Sequence, residues 1–381
     1  MAMLIGIVGG GIGGLSAAIA LRQKGHAVIV FEQTRAFLRV GADINLTPNA
    51  VRALDGLGVG DALRETAARP THRISRTWDT GAETSRLAMG DTAEDLYGAP
   101  QLTIHRADLL KALEEKLPPD ILLLGKRATE VVNGADAVTV RFADATEQRV
   151  DALIGADGIH SVVRTALFGP ESPQFTGVVA YRAVVPRAAL AVPNLDAFTK
   201  WWGPTASTQI VTFPLNRGRE TFIFATTPQE DWRHESWTMP GDVNELRTVY
   251  ADFHPEARAL LDACSEVMKS ALCVRDPLPA WSVGRTTLLG DACHPMMPFM
   301  AQGAGMAVED AIMLARMLEG VDCAGVPAAI KRYEAARRER TARVQIGSRG
   351  NNWLREGGNA DWVYGYDAWQ VPLGASARLQ N

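Results

Sequence analysis

The 381-residue sequence predicts an α/β fold: a parallel sheet with its helices, interrupted by an inserted, mostly antiparallel β-sheet and followed by a C-terminal helical segment. Three observations predict it. Leu4–Val8 and Ala27–Phe31 are short apolar runs flanking Gly13–Lys24, where Leu15, Ala18, Ile19 and Leu21 have helical spacing; this reads as strand, helix and parallel strand. Segments Val178–Val185, Ser207–Phe213 and Glu220–Thr226 are rich in β-branched and aromatic residues and read as antiparallel strands. Around Leu278 the α/β texture returns, with a strand at Thr286–Leu289, a helix over Gly303–Leu318 and a long charged helix from Ala328 to about Gln345.

Between these landmarks, His105-Arg106-Ala107-Asp108-Leu109 runs into a helix that ends near Leu117. Strands are expected at Ile121–Leu124, Glu130–Val132, Val138–Phe142 and Ala152–Ile154. Pro70–Pro100 is loosely patterned and reads as a crossing between two domains. The first domain is expected to be discontinuous, over 1–70, 101–175 and 276–325. The second covers 71–100 and 176–275, and 326–381 form a C-terminal helix and aromatic tail. Two domains suit this length at ~100–200 residues per domain.

Apolar residues make up 47% of the chain, enough for a sizeable core, and the formal charge is only −4. Long-range attraction to nucleic acid or anionic lipid is therefore not expected. The four cysteines, Cys264, Cys273, Cys293 and Cys323, contain no CxxC pair, so no zinc site and no disulfide framework are expected, in keeping with a reducing cytoplasm. Leu4–Leu21 lacks the basic start of a signal peptide and breaks into strand and helix; neither a targeting segment nor a membrane span is read there.

Three short segments carry the chemistry. Gly9, Gly11 and Gly14 have G-x-G-x-x-G spacing between strand and helix. The first glycine permits the tight turn, the second admits a pyrophosphate, and the third lets helix and strand approach. Glu32 ends the next strand, where a carboxylate accepts hydrogen bonds from a ribose 2′-hydroxyl and repels a 2′-phosphate. The tightly held ligand is then FAD or NAD, not NADP; the alternative for Glu32 is an exposed residue opening a loop. Asp157 and Gly158 follow an apolar strand and form an Asx-type turn opening a helix that includes Ser161 and Arg164. Asp291 follows the strand at Thr286–Leu289 and is placed to hold a second ribose or ribityl hydroxyl. Beyond Pro295 and Pro298, Gly303 and Ala304 open a helix whose amides and partial positive charge suit the pyrimidine edge of a reduced flavin. Cys293 and His294 read as structural, with no second partner nearby and no metal.

With these residues in place, the chain resembles the class A FAD-dependent aromatic hydroxylases of the p-hydroxybenzoate hydroxylase fold, from about Leu4 to Trp369. The nearest subgroup is that of salicylate hydroxylase and 6-hydroxynicotinate 3-monooxygenase, through His105-Arg106-x-Asp108-Leu109, Lys200-Trp201-Trp202, Met300-Ala301-Gln302-Gly303-Ala304 and Trp362-Val363-Tyr364-Gly365-Tyr366-Asp367. The resemblance implies a Rossmann-type FAD-binding domain and a sheet-borne substrate pocket. It implies FAD held by Gly9, Gly11, Gly14, Glu32, Arg106 and Asp291, with Ala128 passing the adenine and Gly303 and Ala304 facing the flavin ring. Asp157-Gly158 would serve both the pyrophosphate and NADH or NADPH, a transient co-substrate. The implied reaction is hydroxylation of a phenolic or hydroxypyridine acid through a flavin C4a-hydroperoxide, with decarboxylation in salicylate-type enzymes. The implied partners are a small aromatic substrate, NAD(P)H and oxygen, with the chain a monomer or homodimer.

The same resemblance implies catalytic help from the Pro298 carbonyl and Asn45, and a pocket of Phe198, Ser207, Gln209, Val211, Phe224 and Phe299. Asn45 and Phe299 stand where the hydroxynicotinate enzymes carry histidines, and Val211 where they carry a tyrosine. That makes the pocket more apolar and leaves open benzenoid acids, larger phenols, or a flavin monooxygenase or epoxidase acting on a larger apolar substrate. Asp43, in Gly41-Ala42-Asp43-Ile44, is expected to point to solvent. Arg182 is read either as a partner for a substrate carboxylate or the flavin, or as a structural residue at a domain junction. Lys331–Arg340 reads as a solvated helix face with i,i+4 pairs through Glu334 and Glu339. The aromatic tail, Trp353, Trp362, Tyr364, Tyr366 and Trp369, is expected to pack on the body or a dimer partner. A halogenase lacks support because its Trp-x-Trp-x-Ile-Pro signature is absent. An oxidase is disfavoured by Gly290-Asp291-Ala292-Cys293-His294-Pro295, and a flavin-bound redox or interaction protein remains the non-enzymatic alternative.

Overall fold

The computed structural model describes residues 3–37, 43–232, 234, 239–355 and 359–373. In chain order the elements are β1 (Leu4–Val8), α1 (Ile12–Gln23), β2 (Ala27–Glu32), β3 (Asp43–Leu46), α2 (Pro48–Gly56), α3 (Gly60–Thr66), β4 (His72–Thr77), β5 (Glu83–Ala88), α4 (Asp91–Tyr97), β6 (Leu102–His105) and α5 (Arg106–Glu114). Then follow β7 (Leu122–Leu124), β8 (Ala128–Asn133), β9 (Val138–Phe142), β10 (Glu147–Val150), β11 (Ala152–Gly155), α6 (Val162–Phe168), β12 (Gln174–Pro186), β13 (Phe198–Trp202), β14 (Gln209–Leu215) and β15 (Glu220–Pro228). The chain closes with α7 (Val243–Val249), α8 (Pro255–Asp262), β16 (Met268–Val274), β17 (Ser282–Val283), β18 (Thr286–Leu288), α9 (Gly303–Leu318), α10 (Val326–Arg349) and α11 (Asp361–Tyr364).

β1 lies inside a six-stranded sheet of order β17-β18-β11-β1-β2-β7. Its pairings with β2 and β11 are parallel, as are β11–β18 and β2–β7, while β17–β18 is antiparallel. Ile5 and Ile7 are fully buried, as a strand covered on both faces requires. Strands β10-β9-β8 form a separate three-stranded sheet, and β3 pairs antiparallel with β6.

The larger sheet has the order β16-β12-β15-β14-β13-β4-β5. Its pairings are antiparallel except β13–β4, which is parallel. Side chains alternate between its faces. Tyr181, Ala183, Trp201, Ile210, Ile223 and Ala225 are buried with Leu246, Tyr250, Leu260 and Leu261 of α7 and α8. The opposite face carries Ala180, Phe198, Val211, Phe213, Phe222 and Phe224, packed with Met297 and Phe299 from the loop before α9. That second face is the one presented to the candidate site.

Three expectations need correction. Pro70–Pro100 is not a loose crossing: it contains β4, β5 and α4, with β4 joined to β13. Arg73, Ser75, Arg76, Thr84, Ser85 and Arg86 break the apolar alternation that would mark these strands in the sequence. Asp43 does not point to solvent. Its side chain has no exposed surface, and Oδ1 lies 3.9 Å from Nε2 of His105 across the β3–β6 ribbon; Gly41 and Ala42 lie outside the described residues. Nor is the Lys331–Arg340 run wholly solvated. Lys331 and Arg338 are exposed and pair with Glu334, but Glu334 is itself buried, accepting from the Trp281 and Ser282 amides, and Arg337 and Arg340 are buried too.

The two arginines answer two adjacent buried acids of α9. Arg337 pairs with Glu309 at 2.8 Å and Asp310 at 2.7 Å, and Arg340 pairs with Glu309 at 2.8 Å. Asn49 of α2 donates to Glu309 at 2.8 Å, and His294 Nε2 lies 2.5 Å from Asp310. The cations hold both carboxyls below their usual range against the opposing effect of burial, with Asp310 reaching about 2. The tail packs on the same helix: Arg340 lies 3.8 Å from the Tyr366 ring centroid and Arg343 lies 4.0 Å from that of Trp362.

Arg337→Met would strand two buried carboxylates and is expected to cost about 3–5 kcal/mol in a urea unfolding titration. Arg338→Met, on the exposed face of the same helix, is expected to change stability by no more than ~1 kcal/mol. The folded-state carboxyl of Asp310 is depressed, so its contribution is present above the unfolded carboxylate range and is lost as pH falls through its folded pKa of about 2. Wild-type stability should therefore fall more steeply between about pH 4 and 2 than that of Asp310→Asn, measured by the same titration at stepped pH.

Candidate active site

The turn between β1 and α1 is set by backbone contact. Gly9 has φ +105°, and a Cβ there would meet the Ala156 carbonyl oxygen at 2.4 Å. A Cβ on Gly14 would lie 1.9 Å from the Gly9 carbonyl oxygen. Both positions are closed to any side chain. Gly11 is the reverse case, with nothing within 4 Å of a Cβ position, so its backbone borders open space at the start of α1. No acidic residue occupies the first turn of α1 to neutralise its partial positive charge.

Glu32 stands beside this turn at the end of β2 and is buried, which excludes the exposed-loop alternative. Oε2 accepts from the Gly10 amide at 2.6 Å and Oε1 from the Thr34 amide at 2.8 Å. Each oxygen retains a lone pair for a hydroxyl. Ala128 opens β8 just beyond, where the Lys126 amide donates to the Glu32 carbonyl at 2.8 Å.

Arg106 comes from the first turn of α5, and Asp291 from the short turn after β18. Burial lowers the Arg106 pKa, and the nearby carboxylates of Asp291 and Glu32 oppose that shift. Residues 32, 106 and 291 thus share one electrostatic neighbourhood. Asp291 is exposed, yet protein crowds its carboxyl closely enough to push it above the usual range, against the pull of His294 and Arg106.

Asp157 uses its carboxylate internally. It accepts from Ser161 Oγ at 2.5 Å and from the amides of Val162 and Val163 at 2.7 and 3.1 Å, capping α6. What it offers a ligand is backbone, beside Gly158 at φ +77° with open space around it. Arg164 is engaged with Glu171 at 2.5 Å.

The last wall is the stretch from Pro298 to Ala304. Pro298 is exposed, Phe299 and Met300 are buried, and Ala301 adopts φ +56° before α9 begins. Gly303 is open to a Cβ, and Gly303 and Ala304 are partly exposed at the helix start. Gln302 stands in the sequence only as part of the segment that opens α9, yet its side chain fixes this corner. Its Nε2 donates to Thr47 Oγ1 at 2.8 Å, and its Oε1 accepts from Asn49 at 3.1 Å. The signal available was its place directly before the glycines.

Among the expected pocket residues, Phe198, Val211, Phe224 and Phe299 fall in one apolar cluster. Phe198 stacks on Phe213 with centroids 5.6 Å apart. Gln209 is buried on the same strand as Val211. Ser207 precedes that strand and is outside the cluster, half-buried, its carbonyl accepting from Thr226 Oγ1 at 2.8 Å. Asn45 lies buried in β3. Its Oδ1 accepts from Gln101 Nε2 at 2.7 Å, and its Nδ2 has no partner among the described residues. Arg182 is buried, donates to Ser270 Oγ at 2.5 Å and lies 5.5 Å from the Phe224 centroid.

Cys293, His294 and Asp310 bring possible ligand atoms within 4.8 Å of one another. The expectation that His294 lacks a partner is corrected: Asp310, sixteen positions on, is that partner. Arg337 already neutralises Asp310, and burial raises the Cys293 thiol pKa, so the group is built as an ion-pair cluster rather than for a cation.

Comparison with known proteins agrees with this geometry. The family described as FAD binding domain matches residues 2–347. The chain belongs to that family. It is 42% identical to 6-hydroxynicotinate 3-monooxygenase of Pseudomonas fluorescens, over 97% of this chain and 96% of the relative. It is 35% identical to salicylate hydroxylase of Pseudomonas putida, over 91% and 84%. The structure of Klebsiella pneumoniae HpxO with FAD and uric acid superposes with a TM-score of 0.82 at 27% identity, covering 94% of this chain and 90% of that one. The chain is an FAD-dependent aromatic monooxygenase. The residues present fit such a cofactor: the backbone is open at Gly11 and Gly303, and Arg106 lies near the carboxylates of Asp291 and Glu32. No helix among the described residues is long and apolar enough to cross a membrane.

Glu32→Lys is expected to lower FAD retention by at least tenfold, because it removes the acceptor of two backbone amides and places a cation beside Arg106. Asp291→Ala should act in the same direction more mildly. Flavin absorbance relative to protein after gel filtration measures both.

Proposed function

We propose that the enzyme hydroxylates a phenolic or hydroxypyridine aromatic acid, with a benzenoid hydroxy acid favoured over a pyridine acid. The observation that carries this is the single apolar cluster joining Phe198, Val211 and Phe224 of the sheet to Phe299, next to Pro298. Bound FAD, reduced by NADH or NADPH, supplies the activated oxygen. In this reading residues 1–70, 101–175 and 276–325 hold the cofactor, and 71–100 with 176–275 hold the substrate.

The chain's own residues then divide the work. Backbone at Gly9, Gly11 and Gly14 admits the pyrophosphate, with Arg106 as its cation and Asp157-Gly158 bordering it. Glu32 accepts a ribose hydroxyl, Asp291 accepts a ribityl hydroxyl, and Ala128 borders the adenine. The amides of Gly303 and Ala304 face the pyrimidine edge of the ring, where the start of α9 favours negative charge by ~0.3–2 kcal/mol. The Pro298 carbonyl accepts a hydrogen bond from the substrate hydroxyl, which shifts electron density onto the ring, and Asn45 Nδ2 donates to the substrate. Phe198, Val211, Phe224 and Phe299 hold the ring flat and exclude water; Gln209 and Ser207 border them.

A panel of 6-hydroxynicotinate, salicylate, 3-hydroxybenzoate and larger phenols, scored by hydroxylated product per NAD(P)H consumed, tests this reading. At least one hydroxy acid should give coupled product, and product analysis shows whether carbon dioxide is lost. Efficient turnover of larger phenols alone would reject the acid assignment. Phe299→His is expected to raise relative kcat/KM for 6-hydroxynicotinate over 3-hydroxybenzoate by about tenfold or more, because a polar partner discriminates by hydrogen bonding where an apolar wall does not. The same panel measures it.

A further inference from the structure

A single row of residues crosses the site-facing side of the large sheet. Lys200 of β13 stands opposite Val211 of β14, Val211 opposite Phe224 of β15, and Phe224 opposite Arg182 of β12. The row therefore runs cation, aliphatic, aromatic, cation, over roughly 14 Å at ~4.8 Å per strand. Its centre belongs to the apolar cluster of Phe198, Val211, Phe224 and Phe299.

The two ends differ. Arg182 is spent on Ser270 and the Phe224 face. Lys200 is 2% exposed, and among the described residues no carboxylate lies within ion-pair distance of it. Its Nζ donates one hydrogen bond, to Asn351 Oδ1 at 2.5 Å. An ammonium has three donors, so two remain uncommitted. The Trp202 ring lies 3.7 Å away and the Phe299 ring 5.8 Å away, measured to their centroids. Arg73 and Arg355 add repulsion, and with burial they push the Lys200 pKa well below its ordinary value. A buried ammonium without a counter-ion costs several kcal/mol, and a ligand anion would relieve that cost.

Lys200 is also held in place. Asn351, buried and in the left-handed region at φ +45°, donates to the Ala206 carbonyl and to Gln209 Oε1 at 3.3 Å while accepting from Lys200. It fixes the ammonium to the strand that carries Val211.

From this geometry we infer that Lys200 is the counter-ion for the carboxylate of the aromatic substrate, with Asn351 as its positioning residue. Its two free donors match the two oxygens of a carboxylate, and the ring then lies over Val211 and Phe224. This inference rests on the reading of function above and adds the specificity-determining residue.

The test compares ligands that differ only in charge: 3-hydroxybenzoate, salicylate and 6-hydroxynicotinate against their carboxamides, bound to FAD-loaded enzyme and measured by calorimetry. Wild type should bind at least one acid more tightly than its amide. Lys200→Met should weaken that acid by at least ~30-fold and its amide by less than ~3-fold, as for loss of one partner of a buried charge pair. Asn351→Asp, which gives Lys200 a built-in carboxylate, should erase the preference without removing the ammonium. FAD content and thermal midpoint of each variant establish that it is folded. Equal weakening of acid and amide in both variants, or an acid preference that survives both, overturns the inference while leaving the hydroxylase reading intact. A wild type that binds acids but forms no hydroxylated product from any panel member overturns the reading of function instead, and the binding comparison still decides Lys200.

Discussion

Glu309 and Asp310 place two carboxylates side by side in the interior, and the ring-binding edge of the site depends on how that charge is met. The acids sit on α9, within two turns of Gly303, where the helix opens towards the cleft. Their partners come from everywhere else: Arg337 and Arg340 from α10, His294 from the loop after β18, and Asn49 from α2. Helix α9 can therefore neither rotate nor slide without exposing an unpaired charge to a low-dielectric interior. Gln302 continues the same network to Thr47 and Asn49, so the corner carrying Pro298 to Ala304 inherits its rigidity.

The site has two halves with opposite requirements. The side proposed for the cofactor is polar, with Arg106 near the carboxylates of both Asp291 and Glu32. The sheet side is apolar and buried. Its apolar cluster brings Phe299 of the α9 corner against Phe198, Val211 and Phe224. Hydroxylation chemistry benefits from both, since phosphates need donors and charge while an activated oxygen needs water kept away. On this apolar side the charged residues include Lys200 and Arg182 at the two ends of their row and Arg73 beside Phe198.

Much of the cofactor half was legible in the chain. Gly9 and Gly14 were assigned to a tight turn and a close helix–strand approach, and the atoms a Cβ would strike are backbone atoms of that turn. Glu32 was placed by its spacing, and it proves to be buried and hydrogen-bonded to the turn it was expected to face. The sheet side was less legible. β4 and β5 were hidden because their polar residues break the alternation that marks a strand, and their pairing to β13 joins residues far apart in sequence. Arg337 and Arg340 were read as solvated because a charge run at helical spacing looks the same whether its face meets water or acids of another helix. Lys200 was seen only as part of a family-like phrase; its neighbours Asn351 and Phe299 lie 151 and 99 positions away.

By itself, then, the sequence determined the parts that are written in consecutive residues: the glycine turn, the acid that ends the second strand, the capped turn at Asp157, and the small residues opening α9. Each is a constraint on backbone shape over a few positions, and spacing alone expresses it. Tertiary structure decided which charges are paired, which are buried, and which side chains share a row across the sheet. Those outcomes depend on strand register and helix packing between distant segments, and no local pattern encodes the distance between two atoms brought together only by the fold.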